Sequence, residues 1–440
     1  MGGLNKLSDP ALYRRLREDQ VAMVEVPHGD VVPDKDGATA RETASLVEGL
    51  VARSGALKSE LVEFSQHTWF ARQLTARLKA AQKNGFLDEG IAVRTLDHFA
   101  LQQRLHDGTT VVERFVEHRQ PPLAADEREM ILGWSNVVEG MFEVHRADDG
   151  TGTLVLHNLI DDLRYLVHCN MGPEVLVGLE VGMFACCRIV PIHPATDHWL
   201  ISGHLSPYAQ SARHEAAHTA LRMATADPSL LRRNPDLCHR AWQIQAEDRA
   251  AFIGLFGSDI VIMPPGAAQE ALTEHYQRRQ EEVTASAEAT GKPTRPATDS
   301  TPTPEQISQL PDHYMEADSV GLIYDEIEGL NYYLEFGRLD ALFANPALAH
   351  DHAYVGLLSD YLSDDTVSPL PLRRLVERNP DGTDSVFRAL LGDPSFSWHL
   401  HGEDLLRSRK KAFFQQGASP GFAVVGERLA ELLCTPQAKP

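Results

Sequence analysis

The stretch M-F-E-V-H-R-A-D-D-G-T-G-T-L-V-L-H, residues 141–157, decides the predicted fold of the central part of the chain. Met141–Arg146 alternates apolar and polar side chains, which is typical of a half-buried β-strand. The polar, glycine-containing run Asp148–Gly152 then indicates a turn, and Thr153–His157 has the composition of a second strand. Together these segments predict an antiparallel β-hairpin.

Three further strands are predicted after this hairpin, at Arg164–His168, Val181–Val190 and His198–Ser202. Five short strands within about 70 residues are typical of a small antiparallel β-barrel, either SH3-like or OB-like. We therefore expect such a barrel over residues 136–206. Barrels of this size serve as binding modules in some proteins and have a purely structural role in others.

The segments on either side of the predicted barrel have the apolar spacing of helices. Residues 1–135 repeat apolar side chains every three or four positions, and residues 207–287 resume that pattern after the barrel. Within the second segment, Asn234 and Pro235 predict the start of a helix and Gly257 predicts its end.

A composition change marks a boundary at residues 288–306, which are rich in Pro and Thr and contain no large apolar side chain. A flexible linker is predicted there. Residues 307–440 are predicted to be helical, with Asp325, Glu326 and Glu328 at the solvated edge of a helix. The fold class expected for the whole chain is therefore α+β, a mostly helical multidomain protein with a central small barrel.

The composition excludes several classes of protein. The chain has 440 residues and a formal net charge of -21, so its field repels polyanions and no nucleic-acid partner is expected. It has no run of about 18 apolar residues and no apolar signal-peptide core, which predicts no membrane association and a cytoplasmic location. Its five cysteines are irregularly spaced, which argues against a disulfide framework or a cysteine-ligated zinc.

One short segment suggests specific chemistry, namely His214-Glu215-Ala216-Ala217-His218. Residues four apart project from the same face of a helix, so His214 and His218 are predicted to bind one metal ion. Glu215 is then placed to act as a general base on a metal-bound water, and zinc is the expected cofactor. The alternative is an amphipathic helix whose two histidines lie at the surface.

The segment resembles the active-site helix of the zincin metallopeptidases. This resemblance covers five residues, and it implies that His214 and His218 are zinc ligands and that Glu215 is the catalytic base. A zincin also needs a third ligand. No histidine follows His218 before His239, which excludes the extended metzincin form of the motif.

The next predicted helix offers that third ligand. Asp248 is the one carboxylate within its apolar stripe, so we expect Asp248 to complete the metal site, with Glu247 as the alternative. A buried carboxylate without a partner is costly. Asp248 is therefore equally consistent with pairing to an arginine such as Arg213, Arg222 or Arg232.

Two functional hypotheses follow from the sequence. The first is a zinc-dependent hydrolase that cleaves a peptide or amide bond. The second is a non-catalytic interaction or regulatory protein whose barrel binds a peptide or protein partner. An exposed cleft formed by Trp134, Phe142, Tyr165 and Trp199 would support the second hypothesis, and burial of all four would remove its main basis. An enzyme whose site is dispersed over loops is a third possibility, for which the sequence names no residues.

Overall fold

The computed structural model describes residues 22–23, 37–82, 88–105, 108–148, 150–172, 175–176, 178–290, 303–415 and 417–434. Contacts divide the chain into two compact units. We call Met23–Ala224 with Val425–Pro440 the five-strand unit, and Thr225–Val424 with Met1–Ala22 the three-strand unit, after their sheets. Within the described ranges, no helix is both long enough and apolar enough to cross a membrane.

Helices occupy the described part of the N-terminal region, as predicted. They are α1 (Gly37–Ser65), α2 (Ala71–Ala81), α3 (Glu89–Leu101), α4 (Val111–His118) and α5 (Ala125–Gly133). Local hydrogen bonds explain two of the helix starts. The Asp88 side chain caps α3, and Thr110 and Glu113 form a reciprocal capping box on α4.

The sheet of the five-strand unit follows these helices. Its strands are β1 (Val138–Asp148), β2 (Thr153–Asn158), β3 (Arg164–His168), β4 (Phe184–Pro191) and β5 (His198–Tyr208). Neighbours are hydrogen-bonded in the order β1-β2-β3-β5-β4, and β4 pairs back with β1, so the pairing closes on itself. Helix α6 (Arg213–Ala226) comes directly after the sheet and a short 3₁₀ turn at Gln210–Ala212.

One strand pair corrects the prediction of an antiparallel sheet. The β3–β5 pair is parallel, with Leu166 opposite His198 and His168 opposite Leu200, whereas the other four pairs are antiparallel. The reason is the long connection between the two strands, which includes β4. A crossover of that length allows β5 to run in the same direction as β3, whereas a tight hairpin turn reverses the direction of the chain.

Strand β1 contains an irregularity that matters for the site described below. Its register against β2 shifts between Val144 and Arg146, so His145 is an additional residue in the strand. A bulge of this kind bends the strand and redirects the side chains next to it. Val144 remains buried in the interior core of the sheet.

The three-strand unit has a 3₁₀ helix at Pro228–Leu231 and then α7 (Pro235–Phe256), whose bounds agree with the prediction. The Asn234 side chain accepts hydrogen bonds from Asp236 N and Leu237 N, and Gly257 ends the helix with a φ of 73°. The other helices of this unit are α8 (Pro265–Thr290), α9 (Pro304–Ile307), α10 (Asp312–Met315), α11 (Phe336–Ala344), α12 (His352–Ser363), α13 (Leu370–Arg378), α14 (Pro380–Leu391), α15 (Trp398–Arg409) and α16 (Lys411–Gln415). Of the predicted linker 288–306, residues 291–302 lie outside the described ranges.

The prediction that residues 307–440 are helical throughout is wrong. A hairpin of β7 (Val320–Asp325) and β8 (Gly329–Leu334) pairs with β6 (Ile260–Met263) in an antiparallel sheet. Because β7 is buried on both faces, its apolar run has no alternation that distinguishes it from a buried helix. The acidic residues assigned to a helix edge instead form the hairpin turn, in which Asp325 accepts hydrogen bonds from two backbone amides.

The last described helix is α17 (Glu427–Cys434), and it belongs to the five-strand unit. It makes contacts with side chains of that unit's sheet, which are given below. Two-residue strands at Ala22–Met23 and Val424–Val425 complete the described elements with β structure.

Candidate functional site

The metal-hydrolase motif lies on α6, so the predicted helix at this segment is confirmed. The helix buries Ala216 and Ala217, each with no exposed surface, and places Glu215 and His218 at the exposed side. His214 is half-buried, and its Nε2 has no hydrogen-bond partner among the described residues. The two histidines therefore border the packed face of the helix.

Asp248 is buried within α7, as the apolar stripe predicted. Its Oδ2 accepts a hydrogen bond from the Tyr324 hydroxyl at 2.6 Å, and its Oδ1 accepts one from Arg279 Nε at 3.0 Å. His275 Nε2 lies 3.3 Å from the same Oδ1. Burial alone raises the pKa of Asp248, but the hydrogen bonds and charges of these partners lower it below its usual value.

Asp248 is therefore paired with an arginine, which was the alternative that the sequence left open, and the partner is Arg279 of α8. Glu247, the alternative third ligand, is exposed and lies 3.6 Å from Arg240. His214 and His218 lie in the five-strand unit, and Asp248 lies in the three-strand unit. The three-ligand set of the sequence hypothesis stays a prediction.

A different group of side chains brings three potential metal-ligand atoms close together. Among the described residues, the ligand atoms of Glu143, His145 and His157 all lie within 4.8 Å of one another. We call these three residues the sheet triad. Glu143 and His157 are buried, and His145 is partly exposed. The triad is thus reachable from solvent through His145.

Strand pairing explains why these three side chains meet. Glu143 on β1 is the direct cross-strand partner of His157 on β2, so the two side chains lie on the same face. The bulge places His145 next to them, with its Nε2 3.6 Å from Glu143 Oε2. The His145 and His157 rings meet edge to face, with centroids 5.1 Å apart.

Asp162 orients the buried histidine of the triad. Its Oδ1 lies 2.8 Å from His157 Nε2, and its Oδ2 accepts the backbone N–H of Glu427 at 2.9 Å. Asp162 has a φ of 57°, which asparagine and aspartate tolerate better than most residues. A carboxylate on one ring nitrogen fixes the orientation of the imidazole and makes the other nitrogen a better ligand.

Arg428 of α17 holds the carboxylate of the triad. Its Nε and Nη2 lie 2.7 and 2.8 Å from the two oxygens of Glu143. Burial alone raises the pKa of Glu143, but the Arg428 hydrogen bond and charge lower it, so the carboxylate is ionised at neutral pH. Burial and the neighbouring His157 lower the pKa of His145, which keeps that imidazole neutral and its lone pair available.

The aromatic cleft that would support the interaction hypothesis is not formed. Trp134, Phe142, Tyr165 and Trp199 are all buried, with the largest exposed fraction, 6%, at Trp199. Phe142, Tyr165 and Trp199 belong to the interior core of the sheet. The four rings therefore stabilise the fold and do not form an exposed aromatic cleft.

Sequence reasoning missed the sheet triad, although the hairpin contained a signal for it. The predicted turn at Asp148–Gly152 pairs β1 with β2, but counting outward from it without a bulge places His157 opposite Val144, on the other face from Glu143. Glu143 and His145 are two apart, and so are expected on one face of a strand. What the count cannot supply is the bulge, which depends on packing.

Comparisons with known proteins add no family to this description. A scan against protein-family models, a search of curated proteins and a search of solved structures each found no match to the chain.

Proposed function

We propose that the protein binds a divalent transition metal ion, with zinc as the best-matched ion, through Glu143, His145 and His157. The observation that carries the proposal is the convergence of two imidazoles and one carboxylate within 4.8 Å. Zinc bound at about 2.0–2.2 Å in a tetrahedral site needs donor atoms roughly 3.4 Å apart. Small side-chain rotations are therefore sufficient to close the triad around an ion.

The protonation states also suit a cation. Glu143 carries a negative charge, and its lowered pKa keeps that charge below neutral pH. The carboxylate has about four lone-pair positions, so it can retain Arg428 and still bind a metal ion. The lowered pKa of His145 means that a metal ion competes with few protons for that ring at pH 7.

Three protein ligands leave one position of a tetrahedral ion open, which is the pattern of catalytic zinc sites. When bound there, zinc would lower the pKa of a water molecule and polarise a carbonyl group. The Arg428 guanidinium beside Glu143 adds a fixed positive charge for an oxyanion. We therefore extend the proposal to a zinc-dependent hydrolase acting on peptide or amide bonds, with the triad in place of the α6 motif.

We also propose that the sheet is an OB-like barrel. The order β1-β2-β3-β5-β4 and the parallel β3–β5 pair support an OB-like arrangement over an SH3-like one, whose strands are antiparallel. The proposed centre would then lie on the outside of the barrel, since Val144 and Leu156 face its core. The buried aromatic residues give the recognition-module hypothesis no comparable support.

Metal content of the purified full-length protein tests the proposal. We expect one equivalent of zinc after reconstitution and dialysis, and loss of that zinc in His145→Ala. His145 is partly exposed, so this change leaves the buried core intact. His214→Ala is the matched control and should retain zinc.

Two outcomes would refute the assignment. If His145→Ala keeps its zinc while His214→Ala loses it, the α6 motif is the metal site. If neither the wild type nor any variant holds zinc, cobalt or manganese, the triad is a structural polar cluster. Hydrolysis is tested separately, by zinc-dependent cleavage of a denatured protein substrate that the zinc-free His145→Ala variant does not cleave. Retained zinc without any cleavage would refute the hydrolase part alone.

A further inference from the structure

A second group of polar side chains, which shares no residue with the sheet triad, lies beside a cavity of about 280 Å³. The cavity is formed by α1, the residue after α5, the segment after β3, the end of β4, and β5. Its polar wall includes Lys58, Trp134, Asn170 and Ser202. Met171 also lines it and is 40% exposed.

The cavity wall carries a partly buried cation, Lys58, that shares its counter-ion with a second cation. Lys58 Nζ donates hydrogen bonds to Asp97 Oδ1 and, at 2.9 Å, to Ser202 Oγ. Asp97 is also bound by Arg188, whose Nη1 lies 3.0 Å from its second oxygen. One buried carboxylate therefore serves two cations, the buried Arg188 and the partly buried Lys58. Glu139 lies 3.5 Å from Arg188 Nε and offsets part of the charge of that residue.

The same wall contains a donor that lacks an acceptor. Trp134 is 1% exposed, and its Nε1 has no hydrogen-bond partner among the described residues. A buried indole N–H normally has a partner. Lys58 Nζ lies over this ring, 5.5 Å from its centre, and both residues line the cavity.

The rest of the cavity lining is apolar and would accommodate the apolar part of a ligand. Val190, Leu200 and Ile201 line the cavity and are each at most 3% exposed. A ligand that fits must place an acceptor group against Lys58 and Trp134, and an apolar group against these side chains. The cavity is at the small end of the range for ligand sites, which excludes nucleotides and long chains.

We propose that this cavity binds a small organic carboxylate with an apolar substituent. The carboxylate would accept hydrogen bonds from the Lys58 ammonium and the Trp134 indole. It would also place a second negative charge beside Lys58, which shares Asp97 with Arg188. Burial is the main cause that lowers the pKa of Lys58, and a bound anion would oppose that effect. This binding site is independent of the proposed metal centre, with which it shares no residue.

The test uses benzoate as the probe and benzamide as its neutral counterpart, with the full-length protein. We expect benzoate to bind in calorimetry and to shift the Trp134 indole N–H signal in nitrogen-15 NMR spectra. That signal is assigned by its loss in Trp134→Phe. Benzamide, which keeps the ring and loses the charge, should bind at least tenfold more weakly.

Lys58→Met removes the ammonium group while leaving Asp97 paired with Arg188. We expect this variant to bind benzoate at least tenfold more weakly, and Lys79→Met, at an exposed position on α2, to bind it normally. Equal affinity for benzoate and benzamide, or an indole signal that does not move at saturating benzoate, would overturn the proposal. Should Lys58→Met not fold, the wild-type NMR titration and the affinity of Trp134→Phe, expected to be several-fold weaker, still decide the question.

Discussion

Replacing Tyr324 by Phe tests whether Asp248 is a structural carboxylate. The change deletes the hydroxyl that donates to Asp248 Oδ2 at 2.6 Å and keeps the ring. Both residues are buried, with 0% and 3% of their surfaces exposed. A hydrogen bond to a charged group contributes about 1.5–3 kcal/mol, and the cavity left by one oxygen is small. The free energy of unfolding should therefore fall by about 1.5–3 kcal/mol at pH 7.

Calorimetry gives the corresponding change in melting temperature. For a unit of about 200 residues, each kcal/mol shifts Tm by about 2–4 °C, so Tyr324→Phe should lower Tm by about 3–12 °C. Tyr361→Phe is the matched control, because its buried hydroxyl donates to the neutral Leu334 carbonyl. A neutral hydrogen bond contributes about 0.5–1.5 kcal/mol, so this control should shift Tm less.

The effect should also depend on pH with a definite sign. The pKa of Asp248 is lowered in the folded protein, so its stabilising contribution is present above its unfolded pKa and is lost as pH falls through the folded value. The Tm difference between wild type and Tyr324→Phe should shrink in acid, while that of Tyr361→Phe should not. A Tyr324→Phe variant that unfolds like the wild type at pH 7 would refute a structural role for this hydrogen bond.

Three other predictions concern the sheet triad and its surroundings. Arg428→Met should tighten zinc binding several-fold in calorimetry, because the guanidinium no longer occupies the Glu143 oxygens or repels the cation; unchanged or weaker binding would contradict this. Zinc affinity should fall as pH drops below about 6, where imidazoles become protonated. Because the pKa of His145 is lowered, protonation of His145 should not be the main cause of this fall. A zinc affinity that does not change between about pH 5 and 8 would exclude histidine ligands. Gly426→Ala should lower Tm, since an added Cβ would lie 2.4 Å from the side chain of Asp162; an unchanged Tm would show that α17 moves freely to accommodate it.

Local sequence signals were sufficient for the elements whose ends are set by neighbouring residues. Helix α7 was predicted at its observed bounds, because Asn234 caps its start and Gly257 adopts the left-handed conformation at its end. Strand β3 was also predicted at its observed bounds. Each of these features depends on a few consecutive side chains, so a single sequence contains the information.

Features that depend on distant contacts were missed. The β7–β8 hairpin is buried by packing in the three-strand unit, which removes the alternation that marks a half-exposed strand. The parallel β3–β5 pair depends on which strand lies next to which, and local composition does not encode that choice. Arg279 could not be chosen as the partner of Asp248 because several arginines were compatible with the sequence.

The candidate site also combines features that local sequence predicts with features that depend on distant contacts. The helix that carries His214, Glu215 and His218 was predicted correctly, and whether it binds zinc stays a prediction. The sheet triad needs the pairing of Glu143 with His157 and a bulge at His145, and neither follows from counting along the hairpin, because a count without the bulge places His157 opposite Val144.

The contacts of α17 have a consequence for how the chain acquires its structure during translation. Arg428 reaches Glu143 across a sequence separation of 285 residues, and Glu427 reaches Asp162 across 265. A ribosome adds residues from the N-terminus, so the sheet emerges long before α17 does. Throughout that interval Glu143 has no Arg428 beside it, and in the proposed metal site its carboxylate would be open to a cation. A metal ion captured at this stage would be in place before the arginine arrives.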